Sequence, residues 1–136
     1  MTKKIKIQPF FETDYVAIQE DIKNQWIFAD WKGYQTEDSV KTGATKILEA
    51  MIHFKLTKVL NDNSNVVGIW SPAAKWGGTI WIPKMINAGL KHFAWVYSPS
   101  ALSQFSTKET LKNAPDNEAF RTFVDIEEAK KWLKSV

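Results

Sequence analysis

Apolar and polar residues alternate along two stretches near the start of the chain, residues 15–20 and 25–31. Alternation with a period of two is typical of a β-strand that has one buried face. The polar residues 21–24 between the stretches favour a turn, so the pattern predicts a β-hairpin. A further short strand is predicted before the hairpin, near Pro9. The lysine-rich residues 1–8 are expected to be loose or to form an edge.

A helix is predicted after the hairpin, from Thr36 to about His53. Thr36 supplies a capping hydroxyl, and acidic residues follow it in the first turn, where the helix dipole favours negative charge. Apolar residues at helical spacing give this helix one buried face. They are Val40, Ala44, Ile47, Leu48 and Met51.

Three units of a strand followed by a helix are predicted in the rest of the chain. The strands are residues 57–61, 92–97 and 120–124, and the polar loop 62–65 follows the first of them. This alternation implies an α/β sheet with parallel strands and right-handed crossovers, and the hairpin adds an antiparallel part. No repeat or linker divides the chain, so we predict a single α/β domain with a mixed sheet.

The helices of these units have recognisable ends. Ser71 and Pro72 predict a helix start, as the cap and the first helical residue. Glycine and proline within that helix are expected to weaken or kink it, and Gly89 to end it. The interrupting residues of this first helix are Gly77, Gly78 and Pro83. Residues 98–100 open a second helix, which carries Leu102 and Phe105. Asp125 and Glu128 open a third helix, whose apolar face consists of Ala129, Trp132, Leu133 and Val136.

Composition removes several classes of function. The 136 residues include no cysteine, which excludes disulfides, cysteine nucleophiles and thiolate metal sites. The net charge of +3 comes from scattered lysines, and Arg121 is the single arginine, so nucleic-acid binding is not expected. No apolar run reaches the ~20 residues of a membrane span. We therefore expect a cytoplasmic protein without a transmembrane segment.

Tryptophan is unusually frequent, with seven residues. Trp95, within an apolar run, and Trp132, on an amphipathic helix, are expected in the core. The other candidates lie near element ends and loops, where tryptophan either fills the core or lines a pocket or a partner surface. They are Trp31, Trp70, Trp76 and Trp81.

Polar residues follow the predicted parallel strands, at the edge of the sheet where ligands bind in such folds. These residues are Asn61, Asp62 and Asn63 after one strand, and Ser98 and Ser100 after the next. With the aromatic residues nearby, this composition is typical of a small-molecule pocket. The alternative is that these side chains make local turn and cap hydrogen bonds, as is common in such loops.

Catalytic motifs are missing from the sequence. Neither His53 nor His92 has an acidic partner nearby in sequence, and no metal-ligand spacing, nucleophile elbow or phosphate-binding glycine loop occurs. We expect no catalytic residues, no metal and no cofactor. A small enzyme that uses Asp30 or Asp62 as a general base is the least favoured hypothesis, and it requires a second titratable group within hydrogen-bond reach.

The order of elements from about Tyr15 to Val136 resembles the STAS fold. The resemblance centres on residues 58–62 and 67–72, followed by a helix and then residues 93–97. Within that group the chain is most similar to the bacterial SpoIIAA-like proteins, also described as STAS/Sec14-like. The resemblance implies a single STAS-like domain that signals by binding a protein.

The resemblance also implies a role for Ser71, which matches the serine that a partner kinase phosphorylates in the antagonist family. Trp70 and Pro72 around it depart from the usual motif of that family. Our first hypothesis is a non-enzymatic regulatory module that docks a protein through this helix, with Trp70 and Trp76 as contact anchors. The second is a carrier of a small apolar ligand or lipid, because relatives of the family carry lipids.

Overall fold

A single six-stranded sheet in the order β1-β2-β3-β4-β5-β6 organises the protein. The computed structural model describes residues 6–136. Pairs β1–β2 and β2–β3 are antiparallel, and the three later pairs are parallel. The strands are β1 (Ile7–Glu12), β2 (Val16–Asp21), β3 (Trp26–Tyr34), β4 (Lys58–Val67), β5 (His92–Val96) and β6 (Phe120–Phe123). The predicted α/β class and mixed sheet are confirmed.

The N-terminal hairpin is also confirmed. Asp21 closes its turn, because Oδ1 accepts a hydrogen bond from the backbone N–H of Asn24 at 2.9 Å. Gln25 then takes a left-handed conformation, with φ of 59°, and leads into β3. Residues 7 and 8 belong to the edge strand β1, whereas residues 1–5 of the segment expected to be loose lie outside the described residues.

The first helix, α1 (Glu37–Phe54), begins as predicted at Thr36. The Thr36 side chain accepts from the backbone N–H of Ser39, and the Ser39 side chain accepts from the backbone N–H of Thr36. This reciprocal capping box satisfies two donors that a helix start leaves without partners. Lys55 ends the helix in a left-handed conformation with φ of 58°.

The predicted loop 62–65 is wrong, because β4 continues through it to Val67. The long strand β3 supplies the reason. It extends to Tyr34 and pairs with the second half of β4 after a register shift between Asp30 and Lys32. Backbone pairing along β3 thus outweighs the turn preference of the polar residues.

Residues 71–87 form one irregular helical segment. It passes from a 3-10 turn (Ser71–Ala73) through the α-turn α2 (Ala74–Trp76) and a π-helical turn (Gly77–Trp81) into helix α3 (Ile82–Asn87). The predicted weakening at the two glycines therefore takes the form of a π-turn. Gly89, with φ of 108°, follows the end of α3 as predicted.

The capping role predicted for Ser71 is wrong. Trp70 occupies the N-cap position and Ser71 is already the first residue of the 3-10 turn, with no side-chain cap hydrogen bond. The backbone N–H of Trp70 instead donates to Oγ of Ser106 at 3.0 Å. This hydrogen bond to a neighbouring helix holds the backbone of Trp70, so the helical segment is capped one residue earlier than predicted.

The sheet is covered on both faces. Helix α1, the segment 71–87 and helix α4 (Ala101–Asn113) pack on one face, and helix α5 (Ile126–Ser135) packs on the other. Ala129 and Leu133 of α5 are fully buried, and its N-cap Asp125 accepts from the backbone N–H of Glu127. No helix within residues 6–136 is both long enough and apolar enough to cross a bilayer.

Helix α4 packs with its polar side inward. Its buried residues are hydroxyl-bearing, whereas Leu102 and Phe105 are 56% and 48% exposed. The hydroxyls need no solvent, since several donate to the backbone carbonyl four residues earlier, as Thr110 does to Ser106 at 2.9 Å. The buried residues are Ser103, Ser106, Thr107 and Thr110.

Candidate ligand cavity

A cavity lies between the sheet and the helices α1, α2 and α4. The space open to the centre of a water molecule is about 40 Å³. Five tryptophans dominate its wall, and none of the Lys, Arg, His, Asp or Glu residues within 6–136 belongs to it. The lining residues are Trp31, Gln35, Val40, Ala44, Ile47, Asn61, Asn63, Val66, Trp70, Ala73, Trp76, Gly77, Trp81, Trp95 and Thr110.

Trp31 reaches the cavity from β3 because α1 leaves room for its ring. A Cβ atom on Gly43 would lie 2.2 Å from Cη2 of Trp31, so only glycine allows the indole to pack against the helix. The indole Nε1–H of Trp31 donates to Oδ1 of Asn61 at 2.8 Å. Both residues are buried, and this bond joins neighbouring strands beneath the helices.

Two more indoles are anchored to the helices around them. Nε1–H of Trp70 donates to Oγ of Ser103 on α4 at 3.1 Å. Nε1–H of Trp81 donates to the carbonyl oxygen of Ala44 on α1 at 2.8 Å. Because a buried indole N–H needs an acceptor, these bonds fix both rings in place.

Trp95 differs from these three buried tryptophans. Its ring stacks on Trp70, with centroids 6.1 Å apart and planes 13° from parallel, and packs edge-on against Trp81. Only 4% of Trp95 is exposed, yet its Nε1–H has no hydrogen-bond partner among residues 6–136. A buried donor without an acceptor is unusual in a folded protein.

Three amide side chains form the polar part of the wall. Gln35 is fully engaged, since its nitrogen donates to the carbonyl of Lys32 at 2.9 Å and its oxygen accepts from Ser39 at 2.8 Å. Asn61 donates through Nδ2 to Oδ1 of Asn63 at 3.3 Å. In the part of the chain that the structure describes, Nδ2 of Asn63 donates to no side chain or backbone group.

The mouth of the cavity lies between α1 and α2. Val40 and Trp76 are the two lining residues that are partly exposed, whereas the other lining residues are buried. Nζ of Lys41, which does not line the cavity, lies 5.9 Å from the centroid of the Trp76 ring. Trp76 is therefore the large side chain that a molecule entering the cavity must pass.

Six of the predicted site residues meet at this cavity. Trp70, one of the two predicted contact anchors for a protein partner, is only 5% exposed beneath α4, so it presents little surface to a partner. Its bond to Ser103 and its stacking on Trp95 explain the burial. The six residues are Trp31, Asn61, Asn63, Trp70, Trp76 and Trp81.

The other predicted site residues lie outside the cavity and make local hydrogen bonds. Ser98 donates to the carbonyl of Val66 at 2.5 Å, and Ser100 caps α4 by accepting from Ser103. The carboxylate of Asp62 accepts from both the backbone N–H and the hydroxyl of Ser64. Ser71 is partly exposed and does not line the cavity.

Asp30 and Asp62 face the opposite side of the sheet. They are register partners on β3 and β4, and one carboxyl oxygen of Asp30 is buried without a partner among residues 6–136. Burial raises the pKa of the Asp30 carboxyl, and the negative charge of Asp62 raises it further. Within residues 6–136, no three His, Asp or Glu side chains are grouped so that they could hold a metal ion.

The sequence analysis missed Trp95, Gln35 and Thr110 as cavity residues. Trp95 was assigned to the core alone, although it is the register partner of Asn61 on the neighbouring parallel strand. The sequence analysis predicted no register between these strands, and it is the register that places Trp95 and Asn61 on one face of the sheet. Thr110 gave no signal either, since it reaches the cavity only through the inward polar side of α4.

Comparisons of this chain with protein-family models, with curated proteins and with solved structures found no match. The similarity to STAS domains stays a prediction.

Proposed function

We propose that this protein is a non-enzymatic binding domain that encloses a small apolar molecule in its tryptophan-lined cavity. Aromatic and aliphatic walls with a few placed polar groups are typical of small-molecule sites. Trp31, Trp70 and Trp81 are held by hydrogen bonds within the protein, so much of the wall is preformed. A preformed wall reduces the entropy lost on binding.

The observation that carries this proposal is the unpartnered Nε1–H of Trp95. Leaving a buried donor without an acceptor costs about 1–3 kcal/mol. Three neighbouring indoles avoid that cost through acceptors on Asn61, Ser103 and Ala44. A bound molecule that presents an acceptor to Trp95 would recover this energy, which favours a binding role for the cavity.

The size of the cavity implies that binding opens its mouth. An engineered apolar cavity of about 150 Å³ holds benzene, whereas the space here is about 40 Å³. Trp76 is the larger of the two partly exposed wall residues, and it directly precedes the π-helical turn. Outward rotation of its side chain would enlarge the cavity without breaking the hydrogen bonds of Trp31, Trp70 and Trp81.

Titration with ethylbenzene, followed by ¹H–¹⁵N NMR of the indole N–H signals, tests this proposal. We expect the signals of the cavity indoles, including Trp31 and Trp81, to shift and saturate. Trp26 and Trp132 pack with α5 on the other face of the sheet and serve as internal controls. The variant Trp76→Ala, which widens the mouth, should bind more tightly.

Two outcomes would contradict the binding role. One is an absence of saturable shifts in both the wild-type protein and Trp76→Ala. The other is a uniform shift that includes Trp26 and Trp132, which would indicate unspecific contact with the hydrocarbon. Native mass spectrometry of protein isolated from its own cells adds a separate readout, because a retained ligand appears as a mass that denaturation removes.

Regulation through Ser71 by a protein partner remains a second hypothesis, resting on the STAS resemblance alone. The exposed position of Pro72 and the partial exposure of Ser71 leave that turn accessible. The same mass measurement tests it, since phosphorylation adds a covalent mass that survives denaturation and maps to Ser71. Protein that carries no phosphate on Ser71 under any growth condition would contradict a phosphorylation switch.

A further inference from the structure

We infer that the molecule bound in this cavity is uncharged and presents a carbonyl oxygen to the indole N–H of Trp95. This inference rests on the proposed binding function and names the chemical class of its ligand. The hydrogen-bonding state of each polar group in the wall, the absence of charged side chains from it and the shape of the aromatic walls support it.

The wall offers a donor without a partner. Nε1–H of Trp95 has no partner within residues 6–136, and Trp95 is only 4% exposed. The amide oxygens of the wall, in contrast, each already accept a hydrogen bond. Those of Asn61, Asn63 and Gln35 accept from Trp31, Asn61 and Ser39, respectively. A ligand that brings an acceptor therefore fits this wall better than a ligand that brings only donors.

The lack of charge in the wall excludes an anionic ligand. Among residues 6–136, no Lys, Arg or His lines the cavity. A carboxylate moved into this wall would lose its hydration without gaining a counter-ion, which is strongly unfavourable. An uncharged carbonyl compound avoids that loss, and the hydrogen bond from Trp95 replaces one that the carbonyl makes in water.

The aromatic walls define the rest of the ligand. Trp70 and Trp95 lie nearly parallel, and Trp81 meets Trp95 edge-on at 6.4 Å between ring centroids. A planar ring can pack against such walls by offset or edge-to-face contact. Acetophenone, an aromatic ring with one ketone, combines these features and is the probe of choice.

Three probes of similar size test the inference on the wild-type protein. Acetophenone has the ketone, ethylbenzene lacks an acceptor, and benzoate carries a negative charge. We expect acetophenone to bind about tenfold more tightly than ethylbenzene, as one additional hydrogen bond of ordinary strength provides. Benzoate should not reach saturation. The indole N–H signal of Trp95 should move downfield with acetophenone alone.

Trp95→Phe supplies the matched variant. It should abolish the roughly tenfold preference for acetophenone over ethylbenzene, because the donor is removed. The ratio of the two affinities is the readout, since loss of part of the indole ring changes the wall for both probes alike. The comparison among the three probes does not depend on whether this variant folds.

The outcomes separate this inference from the proposed function. Ethylbenzene binding as tightly as acetophenone, or benzoate binding more tightly, would overturn the uncharged carbonyl ligand and leave the apolar cavity site intact. If none of the three probes shifts a cavity indole signal, both the inference and the proposed function are overturned.

Discussion

The indole N–H of Trp31 donates a 2.8 Å hydrogen bond to Oδ1 of Asn61, which joins two adjacent parallel strands under the helical layer. Both residues are more than nine-tenths buried. Nδ2 of Asn61 in turn donates a hydrogen bond to Oδ1 of Asn63. A chain of buried polar bonds thus crosses the floor of an otherwise apolar cavity and orients one of its aromatic walls.

Asn61→Leu should lower the free energy of unfolding by about 1–3 kcal/mol, because Trp31 would keep a buried donor without an acceptor. Urea denaturation measures the change. The double variant with Trp31→Phe should lose less than the sum of the two single changes, since both remove the same bond. Strict additivity would show that the two residues do not interact energetically.

Gly43→Ala should destabilise the protein by about 1–3 kcal/mol, as overpacking of a core does. Helix propensity alone predicts the opposite sign, because alanine is favoured over glycine by about 1 kcal/mol within a helix. The new Cβ atom would lie 2.2 Å from Cη2 of Trp31. Thr45→Ala, at an exposed position of α1, is the control for propensity, and a stabilised Gly43→Ala would refute the close packing.

The two glycines of the π-turn should differ in their response to alanine. A Cβ atom on Gly78 would lie 2.4 Å from the backbone oxygen of Thr110, whereas one on Gly77 would lie 2.9 Å from the methyl group of that residue. Gly78→Ala should therefore be the more destabilising change in thermal unfolding. Thr110→Ser, which removes the methyl group, should rescue Gly77→Ala but not Gly78→Ala. Equal rescue of both would contradict this packing.

Asp30→Asn should raise the melting temperature at pH 7. Because the pKa of Asp30 in the folded protein lies above 3.8, its ordinary value, folding disfavours the ionised form. Stability is therefore lost as the pH rises from about 3.8 to the folded pKa, and the loss persists above it. The difference between wild-type and variant should shrink near pH 3.5. Asp14→Asn, at an exposed position, is the control, and a pH-independent difference would contradict ionisation as the cause.

Local sequence patterns predicted the elements whose signals are short-range. The hairpin, the capped start of α1 at Thr36, the cap of α4 at Ser100 and the stop at Gly89 all depend on residues within one turn of each other. Their physical causes are side-chain bonds to nearby backbone groups and the conformational freedom of glycine. Such causes are present in the sequence itself.

The errors fall where distant residues decide the outcome. Residues 62–65 are polar and favour a turn, but the length of β3 makes them a strand. Ser71 has the pattern of a helix cap, but the bond from the Trp70 backbone to Ser106 places the cap one residue earlier. In both cases a partner far away in the chain competes with the local preference and prevails.

The sequence by itself determined the α/β class, the order of strands and helices and the abundance of tryptophan. The tertiary structure alone decided that five tryptophans line one cavity and that the indole N–H of Trp95 has no acceptor among residues 6–136. Which face a strand residue occupies follows from alternation, but which helix covers that face depends on packing. The inward polar side of α4, which packs against Gly77 and Gly78, supplies an acceptor for Trp70 but none for Trp95.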